Sequence, residues 1–186
     1  MKNTFGNNIS ITLFGESHGD MIGAVLDGIA AGVKIDKESI KKEMDRRRPH
    51  GKISTPRKEE DEVRIVSGVM NGVSVGTPIT LLIKNTNTNS RDYSLLKDFP
   101  RPSHADYTAS VKYKGHQDYR GGGHFSGRLT APIVAAGAIV KAMLEEKGIL
   151  IGTHIKTLHG ISDRDFLNYA DDIALLDNKL FPCRSC

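Results

Sequence analysis

A chain of 186 residues with 38% hydrophobic and 26% charged side chains has the material for one sizeable core, and its composition excludes wholesale disorder. The net charge of +4 suits an anionic partner, but tryptophan is absent and the aromatics are scattered, which favours local anion sites over a basic-aromatic nucleic-acid platform. No run approaches the ~18 apolar residues of a membrane span. The opening MKNTFGNNIS lacks the apolar stretch of a signal peptide. The chain is therefore read as one domain, residues 1–186, of cytoplasmic type, with no nucleic-acid or membrane partner and no metal expected. Cys183 and Cys186, confined to the last four residues, read as incidental thiols.

In chain order, Ile9 to Phe14 is β-branched and alternating, so a strand is expected there, stopped by Gly15. A second apolar run, Met21 to Leu26, ends at Asp27-Gly28 and completes a hairpin. Asp36 is placed to cap a helix from Lys37 to about Arg47, which Pro49 terminates. Pro49 to Asp61 reads as a polar loop, and strands are expected at Val63–Ser67 and Ile79–Lys84. Asn85 to Ser90 has loop chemistry throughout. A helix is expected from near Ser103 to about Lys114, with Ser103 as its cap. The alanine-rich segment Leu129–Lys147 is the strongest helix pattern, with Pro132 in its first turn and Lys147-Gly148 as its stop. Ile149–Ile155 reads as a strand and Asp171–Asp177 as a short helix. Paired strands separated by single helices indicate α+β layering with antiparallel sheet.

Four constellations could carry chemistry. Gly15-Glu16-Ser17-His18-Gly19 satisfies G-x-S-x-G, so a serine hydrolase built on Ser17 is one reading. The segment after it is strand-like, however, where a nucleophile elbow needs a helix. Asp45-Arg46-Arg47-Arg48-Pro49 places guanidinium forks, which match phosphate bidentately, at a helix C-terminus, where their charge also complements the dipole. In Arg101-Pro102-Ser103-His104-Ala105-Asp106-Tyr107, a histidine at a helix start lies beside an arginine. Finally, Arg120-Gly121-Gly122-Gly123-His124-Phe125-Ser126-Gly127-Arg128 runs straight into a helix, a way to turn backbone N–H groups and a helix N-terminus toward phosphate or the polar edge of a flavin. It is neither a Walker loop nor a dinucleotide fingerprint.

GESHG, DRRRP, GTPI at Gly76–Ile79, RPSHADYT at Arg101–Thr108, RGGGHFSGRLTA at Arg120–Ala131 and AAGAIVK at Ala135–Lys141, in that order, resemble the N-terminal half of the chorismate synthase family. The resemblance implies a β-α-β sandwich-type core, incomplete at the C-terminus, and a homotetramer. It implies a flavoprotein with reduced FMN as cofactor, and leaves NADPH as a candidate reductant for the flavin. The implied reaction is the anti-1,4-elimination of phosphate from 5-enolpyruvylshikimate 3-phosphate, giving chorismate in the shikimate pathway. Carried over by position, His18 and His104 are the catalytic histidines. Arg47, His124, Phe125 and Ser126 belong to the cofactor site, and Ser17, Arg47 and Arg128 to the substrate site. His124-Phe125-Ser126 stands where many members have Arg-Ser-Ser, Ser103 replaces a usual glycine, and the loop after Pro49 is short, which affects the role of Lys52. The family is about twice as long, so the ending FPCRSC reads as a premature stop or a fragment boundary.

Overall fold

The computed structural model describes residues 2–49, 60–86, 88, 93, 97–177 and 183. Lys52, Arg57, Lys58, Cys186 and part of the 85–90 loop lie outside them. The described residues fall into two compact units, the first ending at Ile139 and the second beginning at Val140.

The first unit is organised by a five-stranded antiparallel sheet in the order β1-β2-β3-β7-β4. Its strands are β1 (Thr4–Gly6), β2 (Ser10–Gly15), β3 (Met21–Asp27), β4 (Val63–Ser67) and β7 (Ile79–Lys84). Alternation fixes which side chains face inward. Along β3, Ile22, Ala24 and Leu26 are buried, and register pairs them with Ile83, Leu81 and Ile79 of β7, which are fully buried. Removing one such side chain, as in Leu81→Ala, would cost ~2–5 kcal/mol. A short hairpin, β5 (Val69–Met70) with β6 (Val73–Ser74), extends the connection between β4 and β7.

Helix α1 spans Lys37–Arg47, and its Asp36 cap accepts a hydrogen bond from the Glu38 N–H at 3.0 Å, as the sequence predicts. Helix α2 (Asp106–Tyr113) starts later than expected. Ser103 has a φ of 60°, in the left-handed region, and does not cap it; Ala105 occupies the cap position with no side-chain bond. Helix α3 (Thr130–Glu145) buries an alanine-rich stripe that includes Ala131, Ala135 and Ala138. By length and composition alone, Arg120–Glu145 is apolar enough to cross a membrane, where sequence reading found no such run; 44% of its apolar 18-residue window is buried, and core helices meet the same test.

The second unit takes in the end of α3, the hairpin of β8 (Thr157–Leu158) with β9 (Ile161–Ser162), and helix α4 (Tyr169–Asp177). The strand expected at Ile149–Ile155 does not form: most of that apolar run is exposed and finds no pairing partner. Here His154 contacts Asp163 (Nδ1 to Oδ2, 3.2 Å) and stacks edge-on with Phe166. Asp172 accepts the Leu167 N–H at 2.8 Å, anchoring the start of α4. Cys183 is buried and disulfide-bonded, where a thiol was expected.

Candidate functional site

Antiparallel register places three separate segments at one end of the sheet. The Glu16–Asp20 turn joins β2 to β3, Met21 pairs with Lys84 at the end of β7, and Val63 at the start of β4 pairs with Ile83. The turn, Asn85 and Asp61 therefore meet at that end. Asn85 uses its whole amide: Nδ2 donates to the carbonyls of Glu16 (3.0 Å) and Gly19 (2.7 Å), and Oδ1 accepts from Arg128 Nε at 3.0 Å. Its backbone N–H also donates to Asp20 O at 3.0 Å. One buried side chain thus holds the GESHG turn closed and ties it to Arg128.

Arg128 is buried and donates through Nη1 to Asp61 and through Nη2 to the Lys84 carbonyl (3.2 Å). Asp61 accepts from Arg47 Nη1 at 2.9 Å with its other oxygen, so one carboxylate bridges two guanidinium groups. Arg47 further donates to Thr130 Oγ1 (3.2 Å) and to the Gly127 carbonyl (3.3 Å). Ser126 caps the turn that carries Arg128, accepting its N–H at 3.3 Å. Two of the anion-site arginines named by sequence are thereby locked in a shared, largely buried network.

The imidazoles lie on the glycine loop. Gly121 and Gly122 have φ of 57° and 83°, conformations that a side chain disfavours. A Cβ on Gly121 would run into the His18 ring, and one on Gly122 would sit 3.0 Å from His104 Cε1. Two consecutive glycines thus provide the space for two histidines that are 86 positions apart in sequence (104 − 18). The Ser17 N–H donates to Gly123 O at 3.1 Å and His124 Nδ1 donates to Gly15 O at 2.9 Å, fastening the GESHG turn to the loop. Tyr93 closes on His18 edge-to-face, with ring centroids 5.0 Å apart.

Each imidazole has an arginine–aspartate pair nearby. Asp106 receives Arg101 through Nε (2.8 Å) and Nη2 (3.0 Å) and lies 2.7 Å from His104 Nδ1. The Arg101 side chain, against the opposing cost of burial, holds the Asp106 carboxyl down to about 2. Asp118 takes Nε and Nη2 of Arg120 at 2.9 and 2.8 Å. Burial pushes the Asp118 carboxyl up, but hydrogen bonds from Arg120 outweigh it and the net shift is downward.

Beside this loop is a cavity of about 350 Å³, lined among others by Phe14, Tyr113, Gln117, Gly122, His124 and Phe125. Gln117 Oε1 is buried there and has no hydrogen-bond partner among the described residues. Among the described residues, no group of three or more metal-type ligands gathers anywhere.

The structure therefore collects Ser17, His18, His104, His124 and Phe125 around the glycine loop, and Arg47 and Arg128 around Asp61, with Ser126 capping the turn that carries Arg128. Sequence reasoning passed over Asp61 and Asn85 as loop residues. Their signal was position: Asn85 directly follows β7 and Asp61 lies two residues before β4, on the same end of the sheet. The hydrolase reading of Ser17 finds no support, since the turn leads into β3 rather than a helix and the Ser17 side chain is fully buried.

Sheet, helices and this histidine–arginine cluster define an α+β protein with two imidazoles on one glycine loop and two arginines on one carboxylate. The profile of the chorismate synthase family matches residues 9–183. The chain is 52% identical over 160 residues to a chorismate synthase of Sulfurovum sp. (strain NBC37-1), covering 86% of this chain and 44% of that protein. With one of Aliarcobacter butzleri (strain RM4018) it shares 50% over 182 residues, 96% of this chain and 51% of the relative. A crystal structure of chorismate synthase superposes with a TM-score of 0.67 at 28% identity, covering 94% of this chain and 48% of that one. The chain belongs to the chorismate synthase family. It spans about half the length of the curated relatives it matches.

Proposed function

We propose that this chain carries the histidine half-site of a chorismate synthase, a carbon–oxygen lyase that removes phosphate from 5-enolpyruvylshikimate 3-phosphate with reduced FMN. The observation that carries the reading is the convergence of His18 and His104 on Gly121-Gly122, with the Arg47–Asp61–Arg128 network tied to the same turn through Asn85.

The residues fit a flavin. The cavity beside the loop has aromatic walls in Phe14, Tyr113 and Phe125, suited to a flat conjugated ring. A dry acceptor such as Gln117 Oε1 costs ~1–3 kcal/mol when unpaired, a cost that a donor on a bound ligand would recover. His124, Phe125 and Gly122 would hold the cofactor, which when bound and reduced supplies electron density to a carbon–oxygen bond that breaks as phosphate leaves.

The chain's own groups do the rest. His18, buried beside Gly121 and Tyr93, holds a proton in a water-poor setting. His104 moves a proton at the outer edge of the loop. Arg47 meets the departing phosphate, and Arg128 fixes Asp61 and so the direction in which Arg47 points. Assembly as a homotetramer, a cytoplasmic location and NADPH as the source of flavin electrons belong to the same proposal. Adding reduced FMN anaerobically with the phosphorylated substrate to a full-length version of the protein is expected to perturb the flavin spectrum and release inorganic phosphate. Absence of both overturns the reading.

A further inference from the structure

Asn85 directly follows β7, and its side chain is buried. A buried amide has two donor hydrogens and an oxygen to satisfy, and here all of them are used. Nδ2 donates to the carbonyls of Glu16 and Gly19 at 3.0 and 2.7 Å, and Oδ1 accepts from Arg128 Nε at 3.0 Å. These neighbours also settle which way the amide points. Carbonyls only accept and a guanidinium only donates, so the reverse orientation would set oxygen against two oxygens and N–H against N–H. Aspartate, of the same shape, would present acceptors alone to both carbonyls.

The two ends of this amide lead to different parts of the site. Glu16 and Gly19 flank Ser17-His18, and the Gly19 N–H closes the same turn onto Glu16 O at 3.0 Å. Nδ2 therefore clasps the base of the turn that carries His18. At the other end, Arg128 is fixed by Asp61 and by the Lys84 carbonyl, and Asp61 also holds Arg47. A second route between the two parts runs through the glycine loop, where the Ser17 N–H donates to Gly123 O at 3.1 Å, a few residues before Arg128.

We propose that Asn85 is a positioning residue for His18, and that it transmits the placement of Arg128 to the GESHG turn so that the arginine pair and this imidazole shift together. The amide is planar and engaged at both ends, so a displacement of Arg128 that draws on Oδ1 turns Nδ2 against the two carbonyls. Hydrogen-bonded groups that share one rigid linker respond as a unit, and such a linker is how supporting residues hold a reacting side chain in place. An anion that rearranges the arginine pair is thereby felt at the turn that carries His18. The role of His18 in the reaction rests on the function proposed above; the coupling does not.

The test is NMR of the ¹⁵N-labelled chain, with His18 and His104 assigned by the resonances lost in His18→Gln and His104→Gln. In the unaltered chain the Asn85 side-chain amide hydrogens are expected to exchange with water roughly 100-fold more slowly than those of the exposed Asn71. Exchange at the Asn71 rate overturns the proposal, and this measurement decides if no variant folds. Asn85→Asp keeps an acceptor for Arg128 and loses both donors to the turn, so the His18 ring resonances are expected to move while those of His104 stay. Arg128→Lys keeps the charge and loses the Nε donor. It is expected to displace His18 in the unaltered background and by less than half as much when combined with Asn85→Asp. Equal displacement in both backgrounds assigns the coupling to the glycine loop and overturns the proposal, as does an unmoved His18 in Asn85→Asp. Phosphate release by the full-length protein separates the two readings. Release with His18 uncoupled from Asn85 sinks the positioning role alone, whereas coupling without flavin binding or release sinks the reaction and leaves the coupling standing.

Discussion

His18 and His104 share one loop, yet they are held in opposite ways. His18 is 8% exposed, and its turn is positioned by residues far away in sequence: Asn85, Gly121, Gly123 and, through Asn85, Arg128 and Asp61. The His104 side chain is 30% exposed, and its polar partners, Arg101 and Asp106, lie within three residues of it. A histidine placed by long-range packing is as rigid as the core, whereas one placed by its own turn can answer to a local charge. The first setting suits holding a proton away from water, and the second suits passing one on.

Breaking the long-range side should cost most. Asp61→Ala leaves two largely buried guanidinium groups without their shared carboxylate, and denaturant unfolding is expected to show a loss of ~3–5 kcal/mol. The His18 resonances should shift with it while those of His104 stay in place. Gly121→Ala combines a disfavoured φ with a collision against the His18 ring, and roughly 2–4 kcal/mol is expected to be lost in the same measurement. Its neighbour offers a direct contrast. At Gly122 the facing ring is half-buried and can move, so Gly122→Ala should cost only ~1–2 kcal/mol and displace His104 rather than His18.

The smallest effect belongs to the local side and is read as a pH slope. The folded-state value for Asp106, about 2, lies below its unfolded value of 3.8. The native state therefore binds fewer protons than the unfolded chain in that window. The associated stability is present above pH 3.8 and fades as the pH falls toward 2. Allowing for solvent screening, it amounts to on the order of 1 kcal/mol. Asp106→Asn should remove that acid-side slope and leave the rest of the stability–pH curve unchanged.

The same contrast explains what could be read from sequence. The strands at Val63–Ser67 and Ile79–Lys84, the capped helix from Lys37 and the alanine-rich helix through Ala135 each declare themselves by local pattern, and all four form. The local cluster around His104 was likewise visible, because Arg101, His104 and Asp106 lie close together in the chain. Asp61 and Asn85 were not, since nothing local distinguishes them from other polar residues beside a strand; only antiparallel register brings them under the GESHG turn. The expected strand at Ile149–Ile155 failed for a related reason: a run of apolar residues is a strand only where another strand is there to pair with it.

The central claim is that the two imidazoles on the glycine loop, neither of which lines the neighbouring cavity, respond to one ligand. Adding reduced FMN anaerobically to the ¹⁵N-histidine-labelled chain tests it most directly, with His18 and His104 assigned from His18→Gln and His104→Gln. Both sets of ring resonances are expected to move together along a single binding curve. If only one of them responds, or neither does, while the flavin binds, the claim is contradicted.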